Sequence, residues 1–129
     1  MLKMIATDKA PKPFSNYSQA IEVAAGARQV FVAGQVGARP DGSIADDPEE
    51  QHRLAWANVL AILTKADMDH SNIVDGHVFI TDRNHISLYR RVRDEVLKGH
   101  KPAATLLIVT GLADPKVVME VSVIAAAPA

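Results

Sequence analysis

Glu120 is the residue whose type and setting point most directly to chemistry, because it is the only charge inside the apolar run from Val117 to Ala125. A carboxylate in an apolar strand is costly to bury unless it has a partner or a task. A second apolar run, 101–109, precedes it, and a turn containing Gly, Asp and Pro separates the two. We therefore predict a pair of adjacent strands that positions Glu120.

The residues present argue against several other kinds of site: cysteine-based, metal-binding, nucleophilic-triad and phosphate-binding. The sequence contains no cysteine, which excludes disulfides, thiolate nucleophiles and cysteine-ligated metals. Its five histidines lack the spacing of metal ligands, so we expect no metal site. Ser15, Ser18 and Thr105 have no recognisable base partner, which argues against a nucleophilic triad. No glycine-rich phosphate loop precedes a predicted helix.

Length, composition and charge are typical of one globular domain, residues 1–129. Hydrophobic residues make up 48% of the chain, which is enough to build a core. The formal net charge of −1 argues against binding to nucleic acid or to an anionic membrane. No apolar stretch approaches the roughly 18 residues of a membrane helix, and the first residues do not resemble a signal peptide. We therefore expect a cytoplasmic protein, with which the absence of cysteine agrees.

The strands that must position Glu120 are predicted from apolar runs bounded by turn residues. Tyr17 to Val23 and Gln29 to Val36 flank a Gly26-Ala27 turn, and together they predict a hairpin. Gly34, inside the second of these strands, indicates a bulge or a close approach of another group to the backbone. Further strands are expected at 3–7 and 73–81, and the prolines at 11 and 13 predict an extended arm.

Two helices are predicted from capping residues and helical spacing. Asp47 can cap the first helix, with Pro48 at its first position and Glu50 at its third, and this helix should run to about residue 66. The second helix follows Asp82 or Asn84 and ends before a glycine at position 99. The expected buried faces consist of Leu54, Asn58, Val59, Ile62 and Leu63 in the first helix and Ile86, Tyr89, Val92 and Val96 in the second.

The predicted order of elements is β-β-β-α-β-α-β-β. It indicates an α/β (α+β) single domain, with a mixed six-stranded sheet and two helices on one face. Several strands are apolar on both faces, for example at 30–33 and 106–109. Since two helices cannot cover both faces of such a sheet, we expect an oligomer to cover the second face.

Seven short segments, in order along nearly the whole chain, carry a resemblance to a known family. The sequence resembles the Rid proteins, also called the YjgF-type enamine/imine deaminases. The matching segments are Ile5-Ala6-Thr7, Tyr17-Ser18-Gln19-Ala20, Val32-Ala33-Gly34-Gln35, Asn58-Val59, Val78-Phe79-Ile80-Thr81-Asp82, Lys101-Pro102-Ala103 and Val118-Met119-Glu120-Val121. Each segment is weak alone, and the combination is specific.

The resemblance implies a homotrimer whose sheets close a central barrel, with helices outside and three clefts between subunits. It also implies hydrolysis of reactive enamines and imines, such as 2-aminoacrylate, to a 2-keto acid and ammonia, without metal or cofactor. In that scheme Glu120 orients or activates the water, Tyr17 lines the cleft, and the backbone at Ala33 and Gly34 shapes it.

The sequence departs from the family pattern at the substrate-binding position. The deaminating members carry an arginine after Pro-Ala, whereas this chain has Ala104 followed by Thr105. An alanine cannot make the bidentate contact to a carboxylate that a guanidinium makes. The family's Ser-Gly-Gln is also Ala33-Gly34-Gln35 here, which removes a hydroxyl. Arg93 and Arg39 are candidate replacement cations for Glu120. Because Arg90, Arg91 and Arg93 lie next to acidic residues at 94 and 95, a solvated helix face is favoured there over an anion site.

Two functions follow from these observations. The first is a deaminase-like hydrolase acting on an enamine or imine other than the usual 2-imino acids. The second is a homotrimer that binds a small metabolite without catalysis, as a sensor or regulator. Some relatives are called ribonucleases, but the near-neutral charge does not favour nucleic acid as a partner.

Overall fold

The computed structural model describes all residues, 1–129, as an α+β fold, which confirms the predicted fold class. The predicted order of strands and helices is also confirmed. No helix is both long enough and apolar enough to cross a membrane. The elements are β1 (Leu2–Ile5), β2 (Ala20–Val23), β3 (Arg28–Val36), α1 (Pro48–Lys65), β4 (Ile73–Ile80), α2 (Ile86–Leu97), β5 (Ala103–Ile108) and β6 (Met119–Ala127), with short 3₁₀ turns at His70–Asn72 and Arg83–His85.

The six strands form two sheets, and the prediction of a single six-stranded sheet is wrong in this respect. β1 pairs antiparallel with β2, while the other four strands follow the order β3-β6-β4-β5. The predicted hairpin between β2 and β3 is therefore also wrong. β3 and β6 have nine residues each and pair along most of their length, whereas β2 has only four. The longer pairing satisfies more backbone hydrogen-bonding groups and brings more apolar side chains together.

The two C-terminal strands are not adjacent, contrary to the prediction, because β4 lies between them. β4 runs parallel to β5 and antiparallel to β6. The connection from β4 through α2 to β5 is the crossover that a parallel pair requires. Neighbouring strands lie about 4.8 Å apart, so β5 and β6 are separated by about 10 Å.

Helix α1 begins as its sequence predicts. Asp47 caps it, its side chain accepting a hydrogen bond from the backbone N–H of Glu50 at 3.0 Å, and Pro48 occupies the first turn. Its buried face differs from the prediction, since Ile62 is 39% exposed. Polar side chains take part in the buried face instead, which consists of Gln51, His52, Ala55, Trp56, Val59 and Leu63.

The four-stranded sheet has one covered and one uncovered face. Alternate residues of β6, from Met119 to Ala125, are buried against the helices and join the core of the protein. The residues between them point the other way, to a surface that we call the open face, which carries Phe31, Phe79, Leu107 and Glu120. Phe31 is 70% exposed and Leu107 is 49% exposed. The helices therefore cover one face of the sheet, and apolar side chains on the other face remain exposed.

His52 makes the stability of this fold dependent on pH. Burial, and then the neighbouring His85, lower the pKa of His52 to about 4, and Glu49 acts in the opposite direction. In the unfolded chain a histidine titrates near pH 6.5, so between about pH 6.5 and 4 the unfolded chain binds more protons. We expect the free energy of unfolding to fall by on the order of 3 kcal/mol as the pH drops through this range.

Replacing His52 by leucine should remove this part of the pH dependence. Urea unfolding at several pH values would measure it as the difference between wild type and His52→Leu. His70→Gln, which changes a partly exposed histidine, is the matched control and should keep the wild-type profile. Parallel profiles for wild type and His52→Leu would contradict the prediction.

Candidate functional site

Glu120 lies on the open face, in a row of side chains that crosses three strands. It is directly opposite Phe79 of β4, which in turn is opposite Leu107 of β5. The residue is partly buried, and its carboxylate makes no ion pair or hydrogen bond within the chain. A carboxylate in this setting is available to a water molecule or a ligand.

Gly34 provides the space that the Glu120 side chain occupies. The register between β3 and β6 shifts between Val32 and Gln35, which is the predicted bulge. A Cβ atom at Gly34 would lie 2.8 Å from Cδ of Glu120 and still closer to its Oε2. The predicted close approach is therefore also confirmed, and the absence of a side chain at Gly34 lets the carboxylate lie against the backbone of the bulge. Ala33, the other bulge residue, is exposed.

A cavity of about 230 Å³ adjoins Gly34, and Arg39 forms part of its wall. Arg39 is not a partner of Glu120, because its guanidinium pairs with Glu50 at 2.6 Å and donates to Ser43 Oγ at 3.3 Å. Asn58 of α1 fixes the end of β3, its Nδ2 donating to the carbonyl oxygens of residues 36 and 38 at 3.2 and 2.9 Å. The helix thus positions the strand on which Gly34 lies.

Tyr17 and Ala104 line a different cavity, of about 250 Å³, which we call the Tyr17 pocket. The segment between β1 and β2, residues 6–19, is called the arm, and it lies beside the start of β5, where the backbone N–H of Ser18 donates to the carbonyl of Pro102 at 3.0 Å. The hydroxyl of Tyr17 accepts a hydrogen bond from the N–H of Phe14 at 3.2 Å, which leaves its own proton free to be donated. The pocket is lined by Phe14, Ser15, Tyr17, Tyr89, Arg90, Ala104 and Leu106.

A third cavity, of about 400 Å³ between β1 and the arm, shares only Tyr17 with the predicted site.

Arg93 does not lie on a solvated helix face, and the prediction that placed it there is wrong. Its side chain is 4% exposed and packs over the ring of Tyr89, with 5.2 Å between the guanidinium carbon and the ring centroid. It pairs with Asp94 at 2.9 Å and donates to Ser15 Oγ at 3.1 Å. Burial raises the pKa of Tyr89, against the opposing effect of Arg93. Arg93 therefore fastens the arm to α2 and has no contact with Glu120.

The predicted site residues form two groups on opposite faces of the sheet. Ala104 is opposite Gly76, which is opposite the buried Val123, so Ala104 belongs to the helix side. Thr105, one residue later, is exposed and belongs to the open face with Glu120. Within one chain, Tyr17 therefore meets Ala104, and Glu120 meets Gly34, but the two groups do not meet.

The prediction that placed Arg90 on a solvated helix face is wrong, since Arg90 is partly buried and lines the Tyr17 pocket, and sequence reasoning did not identify Phe14 as a lining residue. Arg90 lies in a helix rich in charged residues, and the sequence around it does not indicate which of the three arginines faces the arm. Phe14 follows a proline-rich stretch, and only the packing of the arm against α2 and β5 brings it to the cavity.

Comparisons with known proteins give a consistent result. A family model described as Endoribonuclease L-PSP matches residues 7–127. A RutC family protein of Pyrococcus abyssi is 35% identical over 126 residues, or 95% of each chain. The 2-iminobutanoate/2-iminopropanoate deaminase of Mus musculus is 30% identical over 112 residues, which cover 85% of this chain and 81% of that one. The crystal structure of Escherichia coli TdcF with bound serine matches at 32% identity with a TM-score of 0.73, over 97% of this chain and 98% of that one.

Proposed function

Because this chain belongs to the Rid (YjgF) family, we propose that it is a cofactor-free hydrolase that deaminates a reactive enamine or imine. The single observation that carries this proposal is the Glu120 carboxylate, which lies against Gly34 without any ion pair or hydrogen bond in its own chain. A relative that is 30% identical has a name that specifies deamination of small 2-imino acids. We place the activity in the cytoplasm.

The chemistry assigned to Glu120 is proton transfer to and from water. Its carboxylate takes a proton from the water as the water oxygen bonds to the C=N carbon, and it passes that proton to the nitrogen. In the resulting carbinolamine the hydroxyl proton moves to the nitrogen, the carbon–nitrogen bond breaks, and ammonia leaves as the carbonyl forms. The Tyr17 hydroxyl, which already accepts a hydrogen bond from Phe14, can donate one to the substrate. General acid–base catalysis of this kind contributes about 10²–10⁴-fold.

We infer that the site is a cleft between subunits of a homotrimer. In support, Tyr17 and Ala104 lie on the helix side of the sheet while Glu120 lies on the open face, so one chain cannot bring them together. The exposed Phe31 and Leu107 of the open face would be covered by such an assembly. Light scattering coupled to size exclusion should then give three times the 13.9 kDa of one chain. A monomer at micromolar concentration would contradict the cleft.

The substrate that we propose differs from the smallest 2-imino acids. Ala104 occupies the position at which the family resemblance expects an arginine, and an alanine cannot bind a carboxylate bidentately. The same feature favours a second candidate, a trimer that binds a small metabolite without turnover. Ligand-dependent thermal stabilisation without loss of the ligand would support this second candidate.

An assay with freshly generated imines separates the two candidates. An amino-acid oxidase supplies imines from a panel of amino acids, and their disappearance is followed with and without this protein. We expect faster hydrolysis of at least one imine with a bulky or apolar side chain. No acceleration of any imine at high protein concentration would remove the enzymatic proposal.

Ala104→Arg should raise the hydrolysis of the imines of pyruvate and 2-oxobutanoate. The new guanidinium would enter the Tyr17 pocket, in which Ala104 leaves room. A hydrogen bond to a charged group contributes about 1.5–3 kcal/mol, so we expect roughly a tenfold gain or more in kcat/KM. Ala104→Met, which has similar bulk and no charge, is the matched control. A folded Ala104→Arg protein with no gain over Ala104→Met would contradict the prediction.

A further inference from the structure

We propose that Arg90 is the anion-binding residue of the Tyr17 pocket, and that the ligand is a carboxylate with an apolar body. This inference rests on the proposed function, because it names the substrate class of the same site. The charge-binding group then comes from helix α2, because β5 carries Ala104 where the family pattern has an arginine.

Arg90 differs from its neighbours in having no partner. Arg91 pairs with Glu49 at 2.9 Å, and Arg93 pairs with Asp94 at the same distance. Arg90 makes no ion pair and no side-chain hydrogen bond, and its Nε is shielded from solvent without an acceptor. A guanidinium without an ion pair keeps its charge uncompensated within the chain, and an anionic ligand in the pocket would supply the missing partner.

The surroundings of Arg90 suit one negative group on an apolar ligand. No carboxylate lines the pocket. Asp94, on the same helix as Arg90, is already bound by Arg93 and by the side-chain amide of Asn16 at 3.0 Å. Aromatic and aliphatic side chains supply much of its wall, and its volume of about 250 Å³ fits a ligand of several non-hydrogen atoms. The remaining lining residues offer hydroxyl groups, which can accept or donate a hydrogen bond without adding charge: Ser15, Tyr17 and Tyr89.

Ala104 supplies no charge to the Tyr17 pocket, so another residue must bind the anion, and its small side chain leaves Arg90 room to do so. An arginine at position 104 would be a second cation in this pocket and would share the binding of an anion with Arg90. With alanine, Arg90 is the sole cation on the pocket wall. Arg93 cannot substitute for it, because its contacts to Asp94 and Ser15 hold it in place.

Binding of the 2-oxo acid of leucine and of its uncharged amide tests the inference without any turnover. Calorimetry on the full-length protein should show that wild type binds the acid about tenfold or more tightly than the amide. Arg90→Gln should bind the two equally. Arg83→Gln, which changes an exposed arginine just before α2, should keep the wild-type preference. If Arg90→Gln does not fold, Arg90→Lys replaces it, and a reduced preference is expected because the planar fork is lost.

Three results would overturn the inference. They are equal affinity of wild type for acid and amide, an undiminished preference in the Arg90 variant, and no binding of either compound at tens of millimolar. The imine assay is independent of these results. A protein that prefers the acid through Arg90 but hydrolyses no imine supports this inference and removes only the deaminase. A protein that hydrolyses an imine but shows no preference for the acid supports the deaminase and removes only this inference.

Discussion

Glu120→Gln is expected to lower the rate of imine hydrolysis by about 10²–10⁴-fold. The substitution keeps the size and shape of the side chain and removes its ability to take a proton from water. Because Glu120 makes no ion pair or hydrogen bond in its own chain, its removal leaves no buried partner behind. We therefore expect the thermal midpoint of the variant to stay close to that of wild type.

The measurement is the initial rate of imine loss, with far-UV circular dichroism and light scattering to show that fold and assembly are retained. Glu22→Gln is the matched control, since it removes an exposed carboxylate from β2 and should leave the rate unchanged. A Glu120→Gln protein as active as the Glu22→Gln protein would remove Glu120 from the mechanism. A variant that still binds the ligand but no longer hydrolyses it would strengthen the catalytic role over the purely binding one.

Gln51→Ala is expected to destabilise the protein by about 3 kcal/mol or more. The side chain of Gln51 is 1% exposed and satisfies three backbone groups. Its Nε2 donates to the carbonyls of Ala45 and Lys116 at 2.9 and 2.8 Å, and its Oε1 accepts from the N–H of Val118 at 2.9 Å. Each buried group left without a partner costs about 1–3 kcal/mol.

Urea unfolding with a linear extrapolation would measure this loss. Gln29→Ala, at an exposed position of β3, is the matched control, and its effect should stay within about 0.5 kcal/mol. Val118 lies two residues before Glu120, so we also expect the Gln51 variant to lose activity before it unfolds globally. A loss of stability below about 1 kcal/mol would show that the three hydrogen bonds are replaced by other partners.

Features that depend on neighbours in the sequence were predicted well. The start of α1 follows from the Asp47 cap and Pro48, which act within a single turn. The bulge at Gly34 follows from a glycine in an apolar strand, and its contact with Glu120 gives the reason for that glycine. The seven short segments identified the family, and with it the fold, because they lie in family order along the chain.

Strand pairing was not predictable in the same way. A turn with Gly26 between two apolar runs predicts a hairpin, but β3, which begins at residue 28, pairs with β6, which begins at residue 119. The choice depends on which partner offers a strand of equal length and a shared buried face, and this is a property of the whole sheet. The same reason places β4 between β5 and β6 and puts Ala104 and Glu120 on opposite faces.

The sequence alone therefore determined the kind of elements, their order, the family and Glu120 as the candidate carboxylate, because each depends on residue type and local spacing. Only the tertiary structure decided which charges are free. Arg93 is buried and paired, whereas Arg90, three residues before it, faces the Tyr17 pocket without a partner. A helix turns by about 100° per residue, so Arg91 meets Glu49 of α1, whereas Arg90 faces the arm and β5, where no carboxylate lines the pocket.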